Sequence, residues 1–203
     1  MPATDANSPT DPKDLPILEF PDRDAWERWL EANHESSRGV WLKIAKKGSG
    51  ATTVTYPEAL EEAIRHGWID GQKGAHDDAF WLQRFAPRGP RSKWSQVNRR
   101  RATELIEQGR MKPAGSAQVE AARGDGRWEA AYAPQSTVTV PEDFRRALDA
   151  NPVAKEFFAT LKSSERYSFL YRIHDAKRPE TRTRRIREYV AMLADGRTIH
   201  GPG

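Results

Sequence analysis

The chain contains no cysteine, which excludes a disulfide framework, a thiolate nucleophile and any cysteine-ligated zinc or iron–sulfur centre. Histidine is also scarce, at 5 residues. A loose grouping of His66, Asp70, His76, Asp77 and Asp78 matches no metal-ligand spacing, so no metal is expected. Apolar runs never exceed a few residues, far short of the roughly 20 needed to cross a bilayer. The first sixteen residues have neither the basic start nor the apolar stretch of a secretory signal. Their Pro, Asp, Ser and Thr content predicts a disordered tail over 1–14, and a cytoplasmic location is the expectation. Lys46-Lys47-Gly48-Ser49-Gly50 lacks the Gly-Lys-Ser/Thr ending of a phosphate loop. A Gly-x-Ser-x-Gly nucleophile elbow is likewise missing. No cofactor is expected.

What the chain does have is charge: 31% of its 203 residues are charged against 37% hydrophobic. That balance fits one buried domain or a domain with a helical appendage. Net charge is only +4, with a pI near 9.4, but acidic residues gather in the first eighty positions and basic ones after them. The surface is therefore expected to be polarised.

Periodicity and punctuation predict an α+β fold: a small mixed β-sheet packed with helices over 15–133, a linker at 134–139, a C-terminal all-helical module over 140–196, and a flexible tail at 197–203. Leu15–Phe20 reads as a strand, and Trp26, Trp29 and Leu30 as the stripe of a helix opened by Asp22. Val40, Leu42 and Ile44 alternate with Trp41, Lys43 and Ala45 in strand fashion. Thr55 and Glu58 form a capping box ahead of a helix whose buried face is Leu60, Ala63, Ile64, Gly67 and Trp68. A hairpin is predicted over 68–86, closed by Pro87, Gly89 and Pro90. Ser92 or Ser95 then caps a helix with Trp94, Val97, Ala102, Leu105 and Ile106 inward, and a short helix spans Ser116–Arg123. Four helices follow from Pro141, Pro152, Ser163 or Ser164, and Pro179, the last closed by Gly196.

The chemistry concentrates between Gly67 and Gly115. No acidic residue lies between Asp78 and Glu104, while Arg84, Arg88, Arg91, Lys93, Arg99, Arg100 and Arg101 are interleaved with Trp81, Phe85 and Trp94. A positive field with aromatic surface suits an anion, a nucleotide or an acidic partner. The candidate ligand-binding residues are Asp70, Arg88, Arg91, Ser92, Trp94, Ser95 and Asn98, expected to line one cavity with Asp70 at its edge. Backbone donors, hydroxyls and guanidinium groups at a helix start converge on phosphate, sulfate or carboxylate. Asp70 is the weak catalytic candidate, as an acid/base, and its plainer reading is an Asp-Gly turn. Neither serine has a histidine nearby in sequence to act as base. A second basic cluster, Arg178, Arg182, Arg184, Arg185 and Arg187, either follows a nucleic-acid backbone or an anionic membrane surface, or forms the solvated face of an amphipathic helix.

Several short motifs recur together: Trp29-Leu30, Gly39-Val40-Trp41-Leu42, Tyr56 with Glu58-Ala59, Gly67 to Gly71, Arg88, Ser92 to Ser95, Asn98, Gly109 to Met111, Gly115, Ala176-Lys177-Arg178 and Thr181 to Ile186. In this order they resemble the YdeI/OmpD-associated, or bacteriocin-protection, family from about Leu15 to Gly196. The resemblance implies tolerance of antimicrobial peptides or bacteriocins and association with an outer-membrane porin. It carries over no catalytic residue.

The functional expectation is a soluble, non-catalytic bacterial stress-protection protein engaging an anionic small molecule or protein partner through the basic aromatic segment. The alternatives are an enzyme acting on a phosphorylated or carboxylated small molecule through Asp70, and a nucleic-acid-binding protein using the C-terminal arginines. Oligomeric state is left open.

Overall fold

A computed structural model describes residues 14–201; the expectation for 1–14 thus falls almost wholly outside the described residues. The chain divides into two compact units. The first comprises the chain as far as Ser92 with Arg100–Glu129, and the second comprises Lys93–Arg99 with the chain from Ala130 onward.

The first unit carries strands Ile17–Leu18 (β1), Val40–Ala45 (β2), Trp68–Ala75 (β3) and Phe80–Pro87 (β4), with helices Arg23–Asn33 (α1), Tyr56–Arg65 (α2) and Pro113–Gly124 (α4). Helix Gln96–Glu107 (α3) starts in the second unit and contributes its residues from Arg100 to the first. The four strands form one sheet in the order β1-β2-β4-β3. β1 runs parallel to β2, and the other pairs are antiparallel, so the sheet is mixed and the fold is α+β.

The alternation of β2 decides which side of the sheet is covered. Val40, Leu42 and Ile44 are buried while Trp41, Lys43 and Ala45 are half-buried, and their partners on β4 are respectively Phe85, Gln83 and Trp81, and Arg84, Leu82 and Phe80. Phe85 meets Trp26 of α1 at 5.7 Å between ring centroids, and Trp26 in turn stacks on Trp29 at 5.3 Å and meets Trp68 edge-on at 6.4 Å. These aromatic rings each remove a large apolar area from water, and their tilted and edge-on geometries add to that burial. Both helix starts are capped: Asp22 accepts the Ala25 N–H at 2.8 Å, and Glu58 accepts the Thr55 N–H at 2.9 Å.

Trp68 corrects one expectation. It does not extend the buried face of α2, because Gly67 adopts φ +75°, a left-handed conformation that ends helices, and Trp68 opens β3. The same reversal brings α2 and α4 close. A Cβ on Gly67 would lie 2.8 Å from the Ala114 carbonyl oxygen, and one on Gly115 would collide with the Arg65 carbonyl. Glycine is required at both positions by approach of backbone to backbone. Helix α4 begins at Pro113, three residues before the expected Ser116, since proline suits the first helical turn. Ile106, expected inward, is 38% exposed, whereas Ala102 and Leu105 are buried.

The second unit contains helices Glu142–Asp149 (α5), Pro152–Thr160 (α6), Ser163–Asp175 (α7) and Pro179–Ala194 (α8). Phe144, Leu148, Phe158, Phe169, Ile173 and Leu193 form its core. Asn151 caps α6 by accepting the Ala154 N–H at 3.1 Å. At the start of α7 neither Ser163 nor Ser164 is the cap; the Lys162 N–H is taken by the Glu165 carboxylate at 2.9 Å. The short segment from Lys93 joins this unit through an isolated bridge between Ser95 and Tyr132 and through Lys93, whose Nζ lies 2.6 Å from Asp175 and 5.3 Å from the centre of the Tyr171 ring. In the 134–139 stretch, 135–137 are exposed and Val138 packs on the helical core. Ile199, in the segment read as a flexible tail, also packs on that core.

Candidate functional site

Asp70 lies in β3 opposite Phe85, just before a register shift between Asp70 and Lys73. Its Oδ2 accepts a hydrogen bond from the Tyr56 hydroxyl at 2.8 Å. Tyr56 is the first residue of α2, fixed there by the Thr55–Glu58 capping pair, and its ring lies 6.0 Å from Trp81. The carboxylate is thus oriented by a phenol delivered from a helix start. This is more structure than an Asp-Gly turn requires.

Arg88 immediately follows β4. Its N–H donates to the Gly67 carbonyl at 3.0 Å, and the residue is only 5% exposed. The loop beyond it is closed by Ser92: the Gly89 N–H donates to Ser92 Oγ at 3.0 Å, and the Ser92 N–H donates to the Gly89 carbonyl at 2.9 Å. Arg127 supports this loop from outside by donating to the Ser92 carbonyl at 2.8 Å. Arg91 is exposed.

Of the residues expected to share a cavity, Asp70, Arg88, Arg91 and Ser92 belong to the first unit and Trp94, Ser95 and Asn98 to the second. In the second unit, Ser95 is the cap of α3, its Oγ accepting the Asn98 N–H at 3.1 Å. Trp94 is 1% exposed and Asn98 is buried. Both serine hydroxyls therefore have structural duties as acceptors for backbone donors. Asp70, Arg88, Trp94 and Asn98 all take part in further interactions.

The C-terminal arginines separate into two sets. Arg182 is held by Asp143, Nε to Oδ2 at 2.6 Å and Nη2 to Oδ1 at 2.9 Å, and also donates to the Ile173 carbonyl at 2.8 Å. This paired contact keeps the Asp143 carboxyl below its ordinary range. Arg185 donates to the Arg172 carbonyl. Arg178, Arg184 and Arg187 are exposed, the latter two beside a shallow cavity of about 410 Å³ that also touches Pro179, Glu180 and Thr183.

Two features were not found by sequence reasoning. The first is an ion network beneath α1 and α2: fully buried Glu62 accepts from Arg23 Nε at 2.6 Å and Arg65 Nη1 at 2.5 Å. The second is a histidine pair at the two helix ends. His34 and His66 are the C-terminal caps of α1 and α2, their rings 5.5 Å apart. Each Nδ1 faces a carbonyl one turn back, Leu30 and Glu62 respectively, at 2.9 Å. Among the described residues no group of three or more His, Asp or Glu has a metal-binding arrangement.

Burial pushes the His66 pKa below its ordinary value of 6.5, with His34 and Arg65 acting in the same direction and Glu62 opposing them. His66 Nε2 is buried without a hydrogen-bond partner, so protonation there places an unsatisfied donor in the interior. The native state therefore resists a proton that the unfolded chain accepts. Stability from this group is complete above about pH 6.5 and is lost as pH falls through the lowered native value. Urea unfolding at pH 7.5 and 5.5 should show a drop in wild type that is smaller in His66→Gln; equal drops would refute the assignment.

Residues 137–196 match the family model described as bacteriocin-protection, YdeI or OmpD-associated. Residues 18–118 match a separate model, a domain of unknown function, DUF8412. The family resemblance read along nearly the whole sequence is thus supported in the C-terminal part, while its N-terminal motifs fall within a different domain model. No curated protein and no solved structure matches the chain. No helix among the described residues is long and apolar enough to cross a membrane.

Proposed function

We propose that the protein works by binding rather than by turnover, as a stress-protection protein of the bacteriocin-protection type that engages an anionic ligand or protein partner through its basic aromatic segment. The observation carrying this reading is Arg88, a guanidinium kept 5% exposed at the end of β4 within a stretch that has no acidic residue from 79 to 103. A partly desolvated guanidinium is well suited to paired hydrogen bonds with carboxylate or phosphate. The serines that an enzyme would employ are occupied with the loop and the helix cap.

The catalytic alternative draws on one specific observation, the Tyr56–Asp70 hydrogen bond, which orients a carboxylate as acid/base chemistry requires. In that case Asp70→Asn abolishes turnover of a phosphorylated or carboxylated substrate without weakening its binding.

A thermal-shift screen of anionic metabolites and nucleotides identifies the ligand, because binding to the folded state raises apparent stability. Calorimetric titration of the first hit against Arg88→Lys should then show affinity reduced at least about tenfold, or roughly 1.4 kcal/mol. Lysine keeps the charge but loses the planar fork. Exposed Arg91 is the control, with Arg91→Ala folding as wild type does. Unchanged affinity in a folded Arg88→Lys protein would overturn the proposal.

A further inference from the structure

The helices packed on the sheet leave its second face with an unusual composition. Trp26 and Trp68 lie with Phe85 on the covered side. The strand alternation therefore directs Trp41, Lys43, Phe80, Leu82 and Arg84 to the opposite side. On that face Trp41 is the cross-strand neighbour of Arg84, and Ile17 of β1 lies beside Trp41 at 49% exposure.

Two glycines of β3 explain how the large side chains lie. A Cβ on Gly74 would come within 3.7 Å of Trp41 Cζ3, and one on Gly71 would meet the Arg84 stem at 3.6 Å. The indole thus reaches across β4 toward Gly74 and accounts for the burial of Leu82 between them, while the Arg84 stem runs beside Gly71. Trp41, Phe80 and Arg84 are half-buried. Lys43 Nζ sits 5.0 Å from the Phe80 ring centre and 3.3 Å from Glu19. Arg84 Nε is itself buried and makes no hydrogen bond, which leaves only the rest of the guanidinium for a phosphate.

We propose that this sheet face binds single-stranded nucleic acid, with Trp41 and Phe80 stacking on unpaired bases and Lys43 and Arg84 meeting the phosphates. Base faces stack on aromatic rings irrespective of sequence, and cations between the rings follow the backbone. Trp41 and Phe80 stand on neighbouring strands, and their backbone positions are offset by roughly 13 Å along the strand direction. A duplex hides its base faces and cannot use such a platform. This site is distinct from Arg88, and its test is independent of the anionic-ligand reading.

The test is fluorescence anisotropy of a fluorescein-labelled oligothymidylate of twelve nucleotides titrated with the full chain at about 50 mM salt, then at higher salt. Binding should weaken as salt rises and be at least about tenfold tighter than to a duplex of equal length. Trp41→Ala and Phe80→Ala should each weaken it by about fivefold or more, as loss of one stacked base predicts. Lys43→Glu should flatten the salt dependence. Should Trp41→Ala unfold by circular dichroism, Phe80→Ala and Lys43→Glu decide the matter. The proposal is overturned by absence of binding, by equal affinity for the duplex, or by loss of binding in Arg184→Ala/Arg187→Ala with the sheet variants unaffected. It is also overturned if sedimentation shows self-association that Phe80→Ala abolishes, since a second copy then occupies the face.

Discussion

Trp94→Ala should lower the free energy of unfolding by roughly 3–5 kcal/mol, the range for removing a buried large aromatic side chain, whereas Arg91→Ala should change it by no more than about 0.5 kcal/mol. The contrast follows from exposure: Trp94 is 1% exposed and Arg91 is open to solvent. Relaxation around the missing indole is restricted on both sides. The Tyr132 N–H donates to the Trp94 carbonyl at 3.0 Å, the Gln96 N–H donates to the Tyr132 carbonyl at 2.8 Å, and Lys93 is tied to Asp175. A backbone pinned in this way cannot collapse into the vacated space, so the cavity term adds to the lost transfer energy. Guanidinium-induced unfolding of both variants measures the difference. Equal losses would mean that Arg91 is a structural ion or that the segment around Trp94 is free to close.

The parts legible in the sequence are those set by local rules. Val40–Ala45 alternates because one side of the sheet is covered, and the Thr55–Glu58 pair and Asn151-Pro152 announce helix starts through their own capping chemistry. The misplaced residues are those where a neighbour in space decides. Trp68 continues the apolar spacing of α2, and only the positive φ of Gly67 transfers it to a strand. Ile106 fits the stripe of α3 as well as Leu105 does, but adjacent positions point about 100° apart, and Ile106 falls at the edge of the buried face, 38% exposed against 2% for Leu105. Of the candidate site, Asp70, Arg88 and Asn98 carried composition signals, while Tyr56 as the donor to Asp70 is visible only once α2 is placed on β3. The allegiance of Lys93–Arg99 to the second unit was equally hidden, because it rests on Tyr132 and Asp175, distant in sequence. Glu62 is the instructive omission: Glu61 and Glu62 are adjacent identical residues, and nothing in their spacing announces that one is sealed from water.

That sealed carboxylate should make Glu62→Ala among the most damaging single changes in the first unit, at roughly 3–5 kcal/mol, the range for breaking a buried ion pair from one side. Glu62 has no exposure and receives both Arg23 and Arg65. Arg65 has little access to solvent, its side chain being 12% exposed, so loss of Glu62 leaves much of a desolvated charge to its remaining partners. Those are Glu27 at 2.8 Å and the Arg110 carbonyl at 2.8 Å, and Arg23 retains Glu61 at 2.8 Å. These contacts should draw the loss toward the lower end of the range. The penalty arises from the stranded cation rather than from the pair's net worth, which gives a distinguishing experiment. Removing the cation together with the carboxylate, in Glu62→Leu/Arg65→Met, should be less harmful than the sum of the two single changes, with a coupling of at least about 1 kcal/mol. Added salt should leave the Glu62→Ala deficit nearly unchanged, since buried charges are weakly screened. By contrast, the exposed Arg100–Glu104 pair should yield no measurable loss on Glu104→Ala. Strict additivity in the Glu62/Arg65 cycle, measured by urea unfolding at neutral pH, would show that the two groups do not depend on each other.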